Sequence, residues 1–336
     1  MTRRRAFSAA AAALAGTAAL LLGAQRVAAA GDRSAASIDD GIVDITTNLA
    51  YEGSAAAGTG MVLTSSGEVL TNNHVIRGAT AIRVTDPSTG KKYTATVVGY
   101  DVAADVAVLQ LKNASGLTTV RLGDSSTVKV GDAVTGLGNA GGAGGTPIEA
   151  TGTVTGLGKS ITASDGSSSE RLTGLIETNA GIQPGDSGGP LVDANGYVIG
   201  MDTAASAGFS FRYTGNDAFA IPINRALTIA KEIEAGHSAT AHIGATAFLG
   251  IEVAAGDYLT RGAVVAGVVH SSPAARAGLT YGDVIVTLNG RTITSPTTLT
   301  SLILKQSPGT KIQIRWIDQY GTSHTAKVTL ATGPAQ

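Results

Sequence analysis

The stretch TNAGIQPGDSGGPLVDANGYVIGMD, Thr178 to Asp202, sets Ser187 among Gly185, Gly188 and Gly189. A nucleophilic serine needs a hydroxyl that stands clear of the backbone. It also needs N–H groups that point at one spot, where an oxyanion can form, and glycine permits the tight or positive-φ turn that provides both. The plain alternative is a surface turn, because the chain holds 45 glycines. Two segments upstream decide between these readings.

The first is LTNNHVI, Leu70 to Ile76, in which His74 follows two asparagines at the end of an apolar strand. Taken singly, such a histidine reads as packed core. The second is GYDVAADVAVLQL, Gly99 to Leu111, in which Asp105 opens the apolar strand Val106 to Leu111. A carboxylate there is partly buried and needs a partner, and an imidazole N–H is a natural one. Asp101 is the rival acid, although its position reads better as a turn. His74, Asp105 and Ser187 therefore occur in the order base, orienting acid, nucleophile that serine catalysis requires.

The totals restrict the other classes. At 336 residues the chain accommodates two or three domains with proper cores. Hydrophobic content of 43% against 15% charged residues describes a globular protein. A net charge of -1 and 4% aromatic residues give no nucleic-acid footprint, so no nucleic-acid partner is expected. Cysteine is absent, which removes disulfides, thiolate catalysis and cysteine-bound zinc. The five histidines show no H-x-x-x-H spacing, so neither a metal nor another cofactor is expected.

Residues 1–30 read as an export signal. Arg3, Arg4 and Arg5 precede an uncharged Ala/Leu-rich run from Phe7 to Ala24, and Ala28-Ala29-Ala30 offers a cleavage site. Twin-arginine export and general secretion fit equally, and a retained anchor is the alternative to cleavage. The product is placed outside the cell or in the cell envelope.

Residues 31–40 read as a flexible mature start. From Ile42 onward, short Val/Ile/Thr-rich strands alternate with Gly, Asn and Asp punctuation, with no helical period between them. The fold class is therefore mostly β, as antiparallel barrels or a sandwich. GNAGGAGGT, Gly138 to Thr146, reads as a connection between two half-domains, or as a loop in its own right. Asn224 to Ala235 forms the first helix, with Ile223, Ala226, Ala230 and Ile233 on one face and Asn224 as its cap. The domain over 41–235 is followed by a linker over 236–244. Over 245–334 an α+β domain follows, in which two Ser-Pro steps open helical pieces.

TNNHVI, DVAVLQL, TNAGIQPGDSGGPL, GYVIGMDTA and FAIPIN together closely resemble the HtrA/Deg family of trypsin-fold serine proteases. FLGIEV and HSSPAARAGLTYGDVIVTLNGRTIT resemble that family's PDZ domain. The resemblance runs from about Ile42 to Gln336. It implies a trypsin-like pair of six-stranded β-barrels with an active site in the cleft, followed by one PDZ domain. His74 would be general base, Asp105 its orienter and Ser187 the nucleophile. The N–H groups of Gly185 and Ser187, with Asp186 between them, would form the oxyanion hole.

The same resemblance assigns the substrate-binding wall to Ala180, Gly181 and Ile182 and to Phe219, Ala220 and Ile221. None is charged, which implies cleavage of polypeptides after Val, Ala or Leu. Phe248, Leu249, Gly250 and Ile251 match the PDZ loop that receives a peptide's C-terminal carboxylate by strand addition. Leu299, Leu302 and Ile303 are either its apolar pocket or ordinary core. Asp186 departs from the family's usual asparagine, and the segment between ITTNLAYEGS and GTGMVL is too short for the long regulatory loop. A single PDZ domain speaks against the largest cages. A homotrimer through N-terminal aromatics would have only Tyr51 to draw on.

Two other functions are weighed. Gly185 to Gly189 also fits the G-x-S-x-G elbow of α/β-hydrolases, which would make the chain an esterase, but Ile182-Gln183-Pro184 interrupts the strand an elbow needs. The other is a secreted chaperone or peptide-binding module whose peptidase fold stays mostly inactive.

Overall fold

The computed structural model describes residues 37–51, 53–164, 169–203, 210–211, 217–254 and 261–336. The export signal and the first part of the mature start lie outside them. Six strands build the first sheet: β1 Ile42–Leu49, β2 Ser54–Val62, β3 Glu68–Thr71, β4 Ala81–Asp86, β5 Lys91–Asp101 and β6 Val106–Leu111. They run in the order β5-β4-β1-β2-β3-β6, and β6 returns to pair with β5, closing a barrel. Helix α1, Asn73–Ile76, follows β3.

A second barrel is built from β7 Ala133–Gly138, β8 Ile148–Ser164, β9 Ser169–Thr178, β10 Pro190–Asp193, β11 Val198–Asp202, the short β12 Ser210–Phe211 and β13 Ala218–Pro222. Its order is β12-β8-β7-β10-β11-β13-β9, closed by β8 pairing with β9. Every paired strand in both barrels is antiparallel. A parallel sheet layered with helices, which the esterase reading requires, is not the architecture. Alternation explains the closure: along β4, Ile82 and Val84 point inward while Ala81 and Arg83 face out.

Helix α2, Ile223–Glu234, lies across both barrels, touching β5 and β6 of the first and β11 and β13 of the second. Its apolar face is Ile223, Ala226, Ala230 and Ile233, all buried. The start differs from expectation. Asn224 lies inside the helix, and its amide donates to Asp124 Oδ1 at 2.6 Å, while Pro222 occupies the capping position without a side-chain bond. A nearby carboxylate outcompetes the local cap because it offers a charge-assisted bond.

The segment read as a linker is tied down. Within it β14, His242–Ile243, adds a strand to the first barrel beside Tyr100 and Gly99 of β5. Tyr100 also shares a hydroxyl hydrogen bond of 3.1 Å with Thr246. The last domain contains β15 Thr246–Phe248, β16 Ile251–Val253, β17 Ala263–Val268, α3 Pro273–Ala277, β18 Val284–Leu288, β19 Arg291–Thr292, α4 Pro296–Leu304, β20 Lys311–Ile317, β21 Ser323–Thr329 and β22 Ala331–Gly333. Ser272 and Ser295 cap α3 and α4 by accepting the N–H of Ala275 and Thr298, both at 3.1 Å, with proline at the first turn of each, as the Ser-Pro steps predict. Beyond β22 the chain returns to the first barrel, where Ala335 accepts the Gly78 N–H at 2.9 Å and Gln336 O accepts from Asn73 Nδ2 at 3.1 Å.

Because α2 bridges two barrels, its apolar face should carry stability for both. Ile233→Ala leaves a cavity under the helix and should cost about 3 kcal/mol in urea unfolding.

Candidate active site

His74 owes its position to two neighbours that precede it. The chain leaves β3 at Thr71, and Asn72 and Asn73 are fully buried as it turns into α1. Asn72 Nδ2 donates to the main-chain carbonyl of Asp105 at 3.0 Å, which ties the start of α1 to the turn before β6. Asp105 has φ 56, in the left-handed region that aspartate tolerates better than most residues. That turn is shaped by Asp101, whose Oδ1 accepts the N–H of Ala104 at 2.9 Å. The two acids therefore divide the work as their positions suggest: Asp101 forms the turn and Asp105 faces the histidine.

The Asp105 carboxylate accepts three hydrogen bonds. His74 donates its backbone N–H to Oδ1 at 2.9 Å, His74 Nδ1 lies 2.8 Å from Oδ2, and Thr203 Oγ1 donates to Oδ2 at 3.0 Å. Both ionisable side chains are almost wholly buried, at 2% and 3% exposure. A carboxylate stripped of water needs donors of this kind. With Nδ1 engaged as the donor, the lone pair of the neutral ring falls on Nε2.

The loop carrying Ser187 is held from both barrels. Thr59 of β2 donates its N–H to Ser187 O at 2.8 Å and its hydroxyl to Gly185 O at 2.7 Å. Thr71 Oγ1 in turn donates to Thr59 O at 2.7 Å. From the second barrel, Gly188 N–H donates to Asp202 O, and Asp202 N–H donates to Gly189 O, both at 2.8 Å. Glycine is needed at two of these positions. Gly185 has φ 105 and Gly188 has φ 85, and a Cβ on them would lie 2.1 Å from Asn139 O and 2.2 Å from Thr59 O.

Ser187 is fully buried. Its carbonyl oxygen and the side chain of Val75 converge on Gly58, where an added Cβ would lie 3.3 Å from the first and 2.7 Å from the second. The serine backbone thus sits next to the helix that carries His74. Asp186 folds back on its own turn, with its N–H donating to Gln183 O at 3.0 Å and its Oδ2 accepting from Gln183 N–H at 2.8 Å.

GNAGGAGGT is not a connection between barrels. It joins β7 to β8 within the second barrel, and Gly141 N–H donates to Pro184 O at 2.8 Å. Asn139 N–H reaches Thr59 Oγ1 at 2.9 Å. The glycines let this loop lie directly against the turn before Ser187. Of the wall residues, Ile182 is half-buried, while Phe219, Ala220 and Ile221 are at most 2% exposed. Along β13 their side chains alternate, Phe219 and Ile221 entering one core and Ala220 the other.

In the last domain, Leu249 O accepts from Ala274 N–H at 2.9 Å and Gly250 O from Val269 N–H at 3.0 Å, which fixes the loop ahead of Ile251. Phe248 faces elsewhere, stacking on Tyr51 with centroids 5.3 Å apart and 11° between planes. Leu299 and Ile303 are core, and Leu302 is half-buried at its edge. Thr59, Asn139, Asp202 and Thr203 were not among the expected site residues. Threonine is common throughout the strands, so nothing local marks Thr59 or Thr203.

A trypsin-like peptidase domain profile matches residues 58–201, and a PDZ domain profile matches residues 247–330. The solved structure of the HtrA-type protease AlgW with tripeptide is 31% identical, with a TM-score of 0.50, over 89% of this chain and 95% of that one. The chain belongs to the HtrA family of trypsin-like, PDZ-containing serine proteases. Among curated relatives, the periplasmic pH-dependent serine endoprotease DegQ of Escherichia coli K12 is 36% identical over 285 residues, covering 82% of this chain and 59% of DegQ. The periplasmic serine endoprotease DegP of the same strain is 36% identical over 266 residues, covering 77% of this chain and 54% of DegP. The chain therefore spans little more than half the length of these relatives.

In this HtrA-family chain the Asp105 carboxylate accepts from Thr203 as well as from the histidine. Thr203→Val should lower kcat about tenfold by removing one bond to a charged acceptor. Asp105→Asn should lower it about 10⁴-fold, and stopped assays on a chromogenic peptide separate the two effects.

Proposed function

We propose that the chain is a serine endopeptidase that works through an acyl-enzyme and acts on unfolded or misfolded polypeptides in the cell envelope or outside the cell. Ser187 Oγ attacks the scissile carbonyl carbon while its proton passes to His74 Nε2. The resulting oxyanion is received by the N–H groups of Gly185 and Ser187. His74 then returns the proton to the leaving amine, and water repeats the sequence to release the acyl group. Asp105 holds the imidazole in one tautomer and stabilises its charged form.

The observation that carries this reading is the two-point grip of Asp105 on His74, through backbone N–H at 2.9 Å and Nδ1 at 2.8 Å. A structural histidine needs one partner. A general base needs its ring fixed in plane and tautomer, which a second bond to its own backbone supplies. The uncharged segment from Ala180 to Ile182 favours small or medium apolar residues at P1. The PDZ domain, with Leu249, Gly250 and Ile251 at the carboxylate loop, is assigned peptide C-termini. A homotrimer is the proposed assembly. Tyr51 is half-exposed and already stacked on Phe248, so only its remaining surface is open to that assembly.

Among the described residues, no helix is long and apolar enough to cross a membrane. Degradation of casein tests the reading against that of a peptide-binding module without catalysis. Ser187→Ala should reduce turnover by on the order of 10⁶. Degradation that survives the substitution, or a peptide-library profile dominated by Lys and Arg at P1, would contradict the assignment.

A further inference from the structure

Two buried acids lie beside the nucleophile loop. Asp202, the last residue of β11, is fully buried, and neither of its carboxyl oxygens has a hydrogen-bond partner. Asp186 is 2% exposed; its Oδ2 takes the Gln183 N–H, and its Oδ1 has no partner. Both rest on β7. A Cβ at Gly136 would lie 2.9 Å from Asp202 Oδ2, and one at Gly138 would lie 2.7 Å from Asp186 Oδ1. Positions 136 and 138 share one face of the strand. The two carboxyl groups therefore sit side by side over a floor that is open only because those side chains are missing.

Among the described residues, no cation is supplied. β7, β13, residues Pro190–Val192 of β10, Val198–Met201 of β11 and all of β2 contribute no ionisable side chain. At the far end of β10, Asp193 is occupied by the N–H groups of Asn195 and Tyr197. Glu177 on β9 is paired with Lys159. Asp105 and His74 are reached only through Thr203. Among the described residues, no Lys, Arg or His bonds either acid. Burial, and then the charge of Asp186, pushes the Asp202 carboxyl well above the usual range. Burial also raises Asp186, against the opposing Gln183 N–H.

We propose that Asp202 is a positioning residue for the oxyanion loop that works only while it holds a proton, leaving Asp186 as the single charge over the β7 floor. This rests on the endopeptidase reading above. Ionising Asp202 puts a second anion into a dry site beside the first, and two such charges do not both stay. Asp202 is anchored in β11 whereas Asp186 lies in the loop, so Asp186 is the one that shifts, and moving it breaks its paired bonds with Gln183. Those bonds shape the turn that presents the Gly185 and Ser187 N–H groups. The backbone of Asp202 grips Gly188 and Gly189, so the strain reaches Ser187 from its other side as well.

The sign follows from the protonated form being the one the fold favours. The stabilisation is complete below the usual carboxylate range and is lost as pH rises through the folded-state value. Activity therefore gains an alkaline limb. Glu68 is a control, because its carboxyl is pushed up to about 7 by burial and by Glu234, away from this loop.

The test is the kcat/KM profile of the full chain on one peptide substrate from about pH 5 to about pH 10. The unsubstituted protein should fall about tenfold on the alkaline side. Asp202→Asn, which is neutral throughout, should stay level there, and Glu68→Gln should keep the fall. Asp186→Asn removes the like charge that helps to hold the Asp202 proton and should move the limb to lower pH, which keeps the inference testable if Asp202→Asn fails to fold. An unchanged limb in the Asp202 or Asp186 variant, its absence from the unsubstituted protein, or its loss in Glu68→Gln would overturn the inference alone. No Ser187-dependent turnover at any pH would overturn the endopeptidase reading with it.

Discussion

A buried carboxylate that must be satisfied organises this molecule. Asp105 sits at the mouth of β6 in a left-handed conformation, with its charge removed from water. Three donors meet it: the backbone and ring of His74, and the hydroxyl of Thr203. The first two come from the first barrel and the third follows the last residue of β11 in the second. Meeting one desolvated charge from both sides ties the two barrels together at this point, and α2 packs across both.

The same logic runs through the nucleophile loop. Thr59 of the first barrel takes Gly185 O with its hydroxyl and donates its N–H to Ser187 O, while Asp202 of the second holds Gly188 and Gly189. Adjacent residues Asp202 and Thr203 thus bond different parts of one region, the first the Ser187 loop and the second the Asp105 carboxylate. A small shift of this segment would be felt at both, which is why buried charge there has a leverage that a surface carboxylate lacks.

Much of the architecture was legible before any coordinates. The period-2 strands, the apolar face of α2 and the Ser-Pro helix starts are written in local composition, and local composition suffices where one face is wet and the other dry. His74, Asp105 and Ser187 each carry a context visible in the sequence: two preceding asparagines, an apolar strand and flanking glycines. Thr203 carries none, since it lies 98 positions from the carboxylate it serves and resembles every other strand threonine. GNAGGAGGT announced a turn without saying which strands it joined. Asn224 carried a good cap signal, and a carboxylate 100 positions away claimed its side chain instead.

The central claim is that an imidazole fixed by Asp105 activates Ser187 in front of the Gly185 and Ser187 N–H groups. A crystal structure of the protein treated with a peptidyl phosphonate tests it most directly. The account expects phosphorus bonded to Ser187 Oγ, the phosphonyl oxygen within hydrogen-bonding reach of both N–H groups, and His74 still bonded to Asp105. Phosphorus on another residue, or a phosphonyl oxygen turned away from that loop, would contradict it.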